Sequence, residues 1–360
     1  MSLHAMRLRV ALIGNWPSPY GGVAVHVAAL ARAARARGVD VTVLDIGRGD
    51  HEAEHVRPAR GPVRYARALS AAAAEGRLLH LHTNGANVRS WLVALAAGRA
   101  RLPGGPRAVL TLHSGSAPAF LGRSAANRAV ASAACSGFGT VIAVSEEIAA
   151  ALAAAGVPRA KVAVLPAFSP GLIEARAAPP ALAPFRAAHR PLLAAALAPG
   201  PIYGADLLLP ALEALRARLP GAGLVAFGEG TDGPAYRRPG ILGLGEIEHA
   251  AALAVMEAAD VFVRPTRADG DAVSVREALA LGCRVVASAI GHRPEGCLIF
   301  PAEDASALAA CLAEAALRPG GRGPGGPPGR DSFDVVFAIY RAHHARATGE
   351  APPGADASAT

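Results

Sequence analysis

Two carboxylates eight positions apart bracket a loop of small residues in the stretch RADGDAVSVREALALG, residues 267–282. An apolar run precedes this stretch, and its second half has the composition of a helix that begins near Val273 or Ser274. Unpaired N–H groups at a helix start carry about half a positive charge, so they attract phosphate. Small side chains allow close approach. The residues that we expect to line such a phosphate loop are Gly270, Ala272, Val273 and Ser274.

The two carboxylates, Asp269 and Glu277, are candidates for binding hydroxyl groups on either side of that loop. Glu277 lies one turn into the expected helix, where a carboxylate can accept hydrogen bonds from both hydroxyls of a ribose. Asp269 precedes the loop and can accept a hydrogen bond from a sugar hydroxyl. The alternative is an ordinary surface helix, with Asp269 or Asp271 as the acidic residue at its start.

The elements around this stretch alternate short β-branched runs with helices rich in Ala and Leu, which predicts the α/β class with parallel sheets. Ligands of open α/β sheets bind outside the carboxyl ends of the strands, and two tandem domains are expected to face a cleft. The predicted divisions are a first domain (1–170) joined by a C-terminal helix (331–348), a linker (171–190), a second domain (191–317), a flexible connector (318–330) and a disordered tail (349–360).

The charge of the chain is uneven. The 360 residues carry a formal charge of +8, yet residues 1–150 alone contain 17 arginines against eight acidic residues. This excess fits contact with an anionic lipid or substrate, and it fits equally a solvated arginine-rich surface. Aromatic residues make up 4% of the chain and are not interleaved with the arginines, so nucleic acid is not an expected partner.

Cysteine and histidine spacing gives no prediction of a metal site. The four cysteines form no C-x-x-C pair and fit free thiols in a reducing cytosol. His80 and His82 share one face of a strand, but no carboxylate or cysteine accompanies them, so structural histidines are favoured. No stretch is long and apolar enough to span a bilayer. We expect a cytoplasmic protein, with peripheral contact to an anionic membrane as a further hypothesis.

The stretch RADGDAVSVREALALG, with LALGCRVVAS (279–288), resembles the E-x7-E region of retaining glycosyltransferases of family four (group 1 glycosyltransferases). Four further segments resemble that family in the same order, over nearly the whole chain. They are PSPYGGVAVHVAALARAARARGVDVTVLD (17–45), TLHSG (111–115), VIAVSEEIAAALAAAGVPRAKVAVLPA (141–167) and GLVAFGEG (223–230). The resemblance implies the GT-B fold, in which two Rossmann-like domains face a cleft. The first domain would bind the acceptor and the second the nucleotide sugar.

The resemblance also implies roles for residues of the first domain. Gly21 and Gly22 would form the loop that faces the donor diphosphate and the transferred sugar, although a plain turn before a helix would also use them. His113 would lie beside the donor sugar, although a lone histidine at a strand end is most often structural. Ser145 is expected to cap the helix that follows it.

In the second domain, the resemblance implies that Gly228 and Gly230 flank the base and ribose and that Glu277 binds the ribose hydroxyls. Asp269 takes the place of the family's first glutamate and is one methylene shorter, so its reach to a sugar hydroxyl is in question. The implied catalytic residues are His113, Asp269 and Glu277.

The sequence departs from the family where two cations are expected to hold the diphosphate. Leu197 and Ala198 stand where the family has Gly-Arg, and Tyr203 stands where it has Lys before a glycine. One hypothesis is that Arg264 and Arg293, both expected at strand ends beside the phosphate loop, replace the missing pair. The other is that the chain has lost transfer and keeps the fold for binding.

The resemblance implies the transfer of a hexose, with retention, from a nucleotide diphosphate sugar to a hydroxyl of a sugar or lipid-linked saccharide. Such a step belongs to polysaccharide or glycoconjugate biosynthesis and is expected to need no metal and no cofactor beyond the donor. The alternative from another class is a non-catalytic nucleotide-sugar-binding or assembly protein of the same fold. Another GT-B enzyme, such as an epimerase or a phosphorylase, is a further alternative. A dehydrogenase is disfavoured, because GNWPSPYGG rather than G-x-G-x-x-G follows the first strand. A serine hydrolase is disfavoured, because no G-x-S-x-G occurs.

Overall fold

The computed structural model describes residues 8–49, 51, 53–173, 176–318 and 331–349. The chain divides into two compact units. One contains the described residues up to Ser169 and those from Asp331 onward, and the other begins at Pro170. The predicted connector (318–330) and tail (349–360) lie outside the described residues except for Arg318 and Gly349.

Both units are built on parallel strands. Those of the first unit are β1 (Arg9–Gly14), β2 (Asp40–Asp45), β3 (Val56–Pro58), β4 (Leu78–Thr83), β5 (Ala108–Leu112), β6 (Phe138–Ala143) and β7 (Val162–Val164). Those of the second are β8 (Leu192–Ala196), β9 (Gly223–Phe227), β10 (Ile241–Gly243), β11 (Val261–Arg264), β12 (Arg284–Ser288) and β13 (Cys297–Phe300).

Helices connect most of the strands, as is usual for parallel pairing. They are α1 (Gly22–Ala36), α2 (Pro62–Ala74), α3 (Val88–Arg99), α4 (Ser116–Gly122), α5 (Ala125–Ser136), α6 (Glu146–Ala154), α7 (Leu182–Ala188), α8 (Ala205–Arg218), α9 (His249–Ala258), α10 (Val273–Ala280), α11 (Ala305–Leu317) and α12 (Ser332–Thr348). No helix of the described residues is long and apolar enough to cross a membrane.

The strand order is β3-β2-β1-β4-β5-β6-β7 in the first sheet and β10-β9-β8-β11-β12-β13 in the second. Every strand pair is parallel, so the predicted class of two parallel-sheet α/β domains is confirmed. The direction of winding reverses between β1 and β4 and again between β8 and β11. Ligands of such sheets bind at the carboxyl ends of the strands beside these reversal points, so a ligand site is expected at each of them.

Strand sequences are almost wholly apolar because helices cover both faces of a parallel sheet. Residues 10–13 of β1 are fully buried, for example. Ser145 caps α6 by accepting a hydrogen bond from the N–H of Ile148, so the predicted cap is confirmed, and Asp331 caps α12 through the N–H of Phe333. The first unit includes α12, whose Phe333, Phe337 and Tyr340 are buried there.

Four elements were not predicted: β3, α2, α4 and α7. The helix α7 lies inside the segment 171–190 that was expected to be a linker, and its Leu182 is 3% exposed in the apolar core of the second unit with Phe262 and Met256. Prolines surround this helix in the sequence and indicate a loop. The helix has only seven residues, so its apolar residues form no recognisable helical repeat.

Candidate functional site

Two guanidinium groups converge on one carboxylate oxygen at the reversal point of the second sheet. Arg264 is the last residue of β11, and its Nε donates to Oδ2 of Asp269 at 3.0 Å. Arg293 follows β12, and its Nη1 donates to the same oxygen at 3.1 Å. The hydroxyl of Thr266 donates to it as well, at 3.1 Å. The hypothesis that Arg264 and Arg293 lie together beside the phosphate loop thus has a defined geometry.

The loop that carries Arg293 is held against the loop before α10. The N–H of His292 donates to the carbonyl oxygen of Gly270 at 2.7 Å, and Nε of Arg293 donates to the carbonyl oxygen of Ser288 at 2.9 Å. Gly291 has a φ of +70°, and a Cβ there would lie 2.5 Å from the carbonyl oxygen of Asp269. Only glycine allows this approach, so the sequence GHRPEG fixes where the guanidinium lies.

The cluster of Arg264, Arg293 and Asp269 holds one net positive charge with little access to water. The side chains of the three are 14%, 6% and 9% exposed. Burial raises the pKa of Asp269, but the charges of Arg264 and Arg293 outweigh it, so the pKa lies below its usual value. Burial lowers the pKa of Arg293, and Asp269 only partly offsets this, yet an arginine stays charged at neutral pH. Among the described residues, the ion pairs of both arginines are with Asp269 alone. A largely buried excess charge is costly, so the cluster favours an anionic ligand.

The residues that replace the family's two cations have different surroundings. Leu197 is 3% exposed and packs in the apolar core on one side of the second sheet, and Ala198 follows it. The ring of Tyr203 lies under the guanidinium of Arg264, with 5.9 Å from Cζ to the ring centroid. A tyrosine where lysine is expected thus contacts a cation supplied by β11.

Arg267 lies outside this cluster although it is three residues from Arg264. Its guanidinium donates to Asp206 at 2.8 Å and to Glu303 at 2.5 Å, and both carboxylates are more than half exposed. Its charge is therefore compensated at the surface, which makes it a matched control for the arginines of the cluster.

The start of α10 supplies backbone N–H groups without a side-chain cap. The helix begins at Val273, as predicted, and Ala272 precedes it. Gly270, Ala272 and Val273 are buried, and Ser274 is half-buried. Asp271 is not the cap, because its carboxylate accepts hydrogen bonds from Nε of Arg276 at 2.7 and 2.8 Å.

Glu277 is 3% exposed one turn into α10, and its Oε1 lies 2.7 Å from Nε2 of His249 in α9. This contact fixes one carboxylate oxygen and the orientation of the side chain. Nothing in the local sequence pairs these residues, which are 28 positions apart. His249 was therefore missed in the sequence analysis.

Gly228 and Gly230, expected beside the base and ribose, follow β9 with φ angles of +115° and +78°. A Cβ on Gly228 would lie 2.0 Å from the carbonyl oxygen of Leu197, and one on Gly230 would lie 3.3 Å from Cγ of Pro199. Close packing against the loop after β8 therefore requires glycine at position 228. This loop contains Leu197 and Ala198, the residues that stand where the family has Gly-Arg.

In the first unit, Gly21 and Gly22 form the exposed start of α1, at the reversal point of that sheet. Neither has a positive φ, and a Cβ at either position meets no described atom within 4 Å. The described fold therefore gives no steric reason for glycine here, in contrast to Gly228. His26, one turn after Gly22, has its ring centroid 4.8 Å from that of His113.

His113 follows β5 and lies in a cluster of imidazoles. The others are His80 and His82, which were expected to be structural, and His26, for which no role was predicted. Its Nε2 is 3.1 Å from Nδ1 of His82. His80 is fully engaged, because Nε2 contacts the hydroxyl of Thr111 at 2.7 Å and Nδ1 contacts the hydroxyl of Tyr340. One nitrogen from each of His26, His82 and His113 lies within 4.8 Å of the others, an arrangement that could hold a metal ion.

The predicted site residues thus form one set in each unit. The second unit brings together Arg264, Arg293 and Asp269 next to α10. The first unit brings His26 of α1 next to His113, and no contact of Gly21 or Gly22 with His113 is seen among the described residues. Thr266 and Ser288 were missed because a single Thr or Ser at the end of a strand carries no distinctive pattern. Both contact Arg293, Thr266 through its hydroxyl at 3.2 Å and Ser288 through its carbonyl oxygen at 2.9 Å.

Two family models match the chain. Residues 20–168 match the model described as Glycosyltransferase Family 4, and residues 189–316 match the model described as Glycosyl transferases group 1. Together they span most of the sequence. A comparison with curated protein sequences gives no significant match.

Solved structures share the fold at low sequence identity. The Anabaena protein Alr3699/HepE, in complex with UDP and glucose, is 16% identical with a TM-score of 0.63 over 95% of this chain and 97% of its own. Sucrose-phosphate synthase from Thermosynechococcus elongatus is 22% identical with a TM-score of 0.63 over the same shares. The UDP-GlcNAc 2-epimerase of Methanocaldococcus jannaschii is 9% identical with a TM-score of 0.60 over 92% of this chain and 99% of its own. The predicted GT-B fold is confirmed by these similarities, and the two models confirm that the chain carries glycosyltransferase domains. The chain therefore belongs to the glycosyltransferases, with a family 4 domain in its first unit and a group 1 domain in its second.

Proposed function

We propose that the chain transfers a hexose from a nucleotide diphosphate sugar to a hydroxyl of a saccharide or lipid-linked saccharide, with retention at the anomeric carbon. The observation that carries the donor class is the cluster of Arg264, Arg293 and Asp269. It holds a net positive charge, is largely buried, and lies beside the uncapped start of α10. Such a site is suited to the two phosphates of the donor, and it supplies the cations that Ala198 and Tyr203 do not.

The proposed step exchanges one bond to the anomeric carbon for another. The bond from that carbon to the diphosphate oxygen breaks, and the acceptor oxygen forms the new bond on the same face. The acceptor's proton leaves on an oxygen of the departing diphosphate. The arginine pair and the N–H groups of Val273 and Ser274 stabilise the growing negative charge, so the transfer is proposed to need no metal. Glu277 binds the ribose hydroxyls through the oxygen that His249 leaves available.

UDP is the first nucleotide to test. HepE has been solved with UDP and with UDP-glucose, and the Methanocaldococcus epimerase with UDP-GlcNAc and UDP. Their identity to this chain is at most 17% in these cases, so they guide the choice of ligand and leave the base of the donor as a proposal.

The first unit is proposed to bind the acceptor and to present Gly21, Gly22 and His113 to the transferred sugar. The arginine excess in residues 1–150 is consistent with an anionic, lipid-linked acceptor, and so with a cytoplasmic protein in peripheral contact with a membrane. Flotation with liposomes that contain anionic lipid tests this part. Equal recovery with neutral liposomes would contradict it.

The second candidate is a non-catalytic nucleotide-sugar-binding or assembly protein. It is favoured by the loss of both expected cations, at Ala198 and Tyr203. A donor-consumption assay separates the two. We would incubate the chain with UDP-glucose and mixed saccharide acceptors and measure released UDP and the new product by mass spectrometry. A transfer product that forms with the unaltered chain and not with Glu277→Ala supports a glycosyltransferase. Binding of the donor without UDP release for any acceptor supports the non-catalytic protein.

A further inference from the structure

We propose that His26, His82 and His113 form a binding site for a divalent transition-metal ion of the zinc type. The three rings make a triangle in the first unit, with centroid separations of 4.8 Å (His26 to His113), 5.3 Å (His26 to His82) and 5.3 Å (His82 to His113). One nitrogen of each ring lies within 4.8 Å of the other two. Ligand nitrogens around tetrahedral zinc are about 3.4 Å apart when the Zn–N distance is about 2.1 Å, so small ring movements would close the set.

The hydrogen bonds of His26 prepare it as a ligand. Its Nδ1 lies 2.8 Å from the carbonyl oxygen of Ala167, which can only accept, so Nδ1 carries the proton. Nε2 then has a free lone pair. A metal-binding histidine typically donates its other ring N–H to a carbonyl or a carboxylate in this way, which fixes its tautomer and orientation.

His82 provides an independent sign of a missing partner. The residue is 2% exposed, and its Nε2 is buried without a hydrogen-bond partner among the described residues. An orphaned polar atom at that depth costs free energy, which a cation bound at Nε2 would recover. Coordination by both rings replaces the 3.1 Å contact between Nδ1 of His82 and Nε2 of His113, because a hydrogen bond there leaves only one of the two neutral rings a lone pair for the ion. His80 does not compete for the metal, because Thr111 and Tyr340 occupy both of its nitrogens.

The chemistry of the set selects the ion. Three nitrogens without a carboxylate suit Zn²⁺, Co²⁺ or Ni²⁺ and do not suit Mg²⁺ or Ca²⁺, which prefer oxygen. His113 is only half-buried, so water can fill a fourth position.

The test uses the full chain without nucleotide, so its outcome is independent of the proposed transfer. We would titrate ZnCl₂ against a chromogenic chelator and expect one ion per chain. His26→Gln and His113→Gln should each weaken the affinity at least tenfold. The control is His189→Gln in the second unit, which should leave the affinity unchanged. Circular dichroism checks that each variant is folded.

A measurement on the unaltered chain keeps the proposal testable if a variant does not fold. X-ray absorption at the zinc edge should show three imidazole ligands per ion at about 2.0–2.1 Å. Absence of stoichiometric binding would overturn the proposal. So would sulfur ligands, which would point to the free cysteines, or fewer than three imidazoles.

Discussion

Nε2 of His249 lies 2.7 Å from Oε1 of Glu277, inside the second unit and 28 residues away in the sequence. The pair holds a buried carboxylate in one orientation at the head of α10, where the resemblance to family four places the ribose of the donor. His249 is therefore a positioning residue for Glu277.

Replacing His249 tests this role. We expect His249→Ala to weaken the binding of the nucleoside diphosphate by about tenfold, because Glu277 loses a fixed orientation and a hydrogen bond worth roughly 1 kcal/mol. His249→Gln keeps a donor and should restore most of the affinity. Calorimetric titration measures both variants. Equal affinity in His249→Ala and the unaltered chain would show that the orientation of Glu277 does not depend on His249.

The tyrosine in place of the family's lysine gives a second prediction. Tyr203→Phe keeps the ring under the guanidinium of Arg264 and should bind UDP with unchanged affinity. Tyr203→Ala removes it, and the loss of a cation–π contact worth about 0.5–1 kcal/mol predicts a two- to fivefold weaker affinity. Titration of both variants with UDP measures the difference. If Tyr203→Phe binds UDP more weakly than Tyr203→Ala does, the prediction is wrong, and the hydroxyl of Tyr203 rather than its ring face contributes to binding.

Gly22 allows function to be separated from stability. Alanine suits a helix better than glycine, and the Cβ meets no described atom, so Gly22→Ala should raise the free energy of unfolding by about 0.5–1 kcal/mol. The same methyl group should reduce transfer, because the start of α1 is proposed to face the donor. Urea unfolding and the transfer assay measure the two effects.

Gly38→Ala is the matched control for Gly22→Ala. Gly38 ends the same helix with a φ of +76°, so alanine there should lower the free energy of unfolding and leave the rate of transfer unchanged. A Gly22→Ala chain that is both more stable and fully active would remove Gly22 from the proposed site.

The buried imidazoles predict a loss of stability in weak acid. Burial lowers the pKa of His26 to about 4 in the folded chain, and it lowers the pKa values of His80 and His82. The unfolded chain binds these protons near pH 6.5, so the stability contributed by neutral imidazoles is complete above pH 6.5 and falls as the pH drops towards 4. For His26 alone the loss is roughly 3 kcal/mol across that window.

Tryptophan fluorescence during urea unfolding follows this effect, because Trp16 and Trp91 both belong to the first unit. His26→Gln should show a shallower dependence of the free energy of unfolding on pH between 6.5 and 4.5. A free energy that is constant over that range in the unaltered chain would contradict the burial of neutral histidines.

The sheets could be predicted from the sequence because strands that are buried on both faces leave unbroken apolar runs. The run DVFVRP, for example, places Arg264 at a strand end, and GHRPEG places Arg293 after the next strand. Their meeting at Asp269 could be anticipated, since parallel strands end at one edge. By contrast, β3 has only three residues and no period, and the prolines around α7 obscure its apolar residues.

The contacts that complete the candidate site could not be predicted, because they join side chains through the tertiary fold. His249 and Glu277 meet only because α9 and α10 pack on the same face of the second sheet. His26 lies on α1, which follows β1, and His82 lies on β4. The two residues meet because β1 and β4 are neighbours in the sheet, and the strand order rather than the distance along the chain determines this.

The most direct test of the account is calorimetric titration of UDP, GDP and ADP into the unaltered chain, Arg264→Met with Arg293→Met, and the control Arg267→Met. We predict that one nucleoside diphosphate binds the unaltered chain and the control alike, and that the double variant binds it at least a hundredfold more weakly, since each charged hydrogen bond is worth roughly 1.5–3 kcal/mol. The affinity for the matching nucleoside should change little, which separates a lost phosphate contact from misfolding. Equal affinity for the diphosphate in the double variant and the unaltered chain would contradict the claim that Arg264 and Arg293 hold the donor.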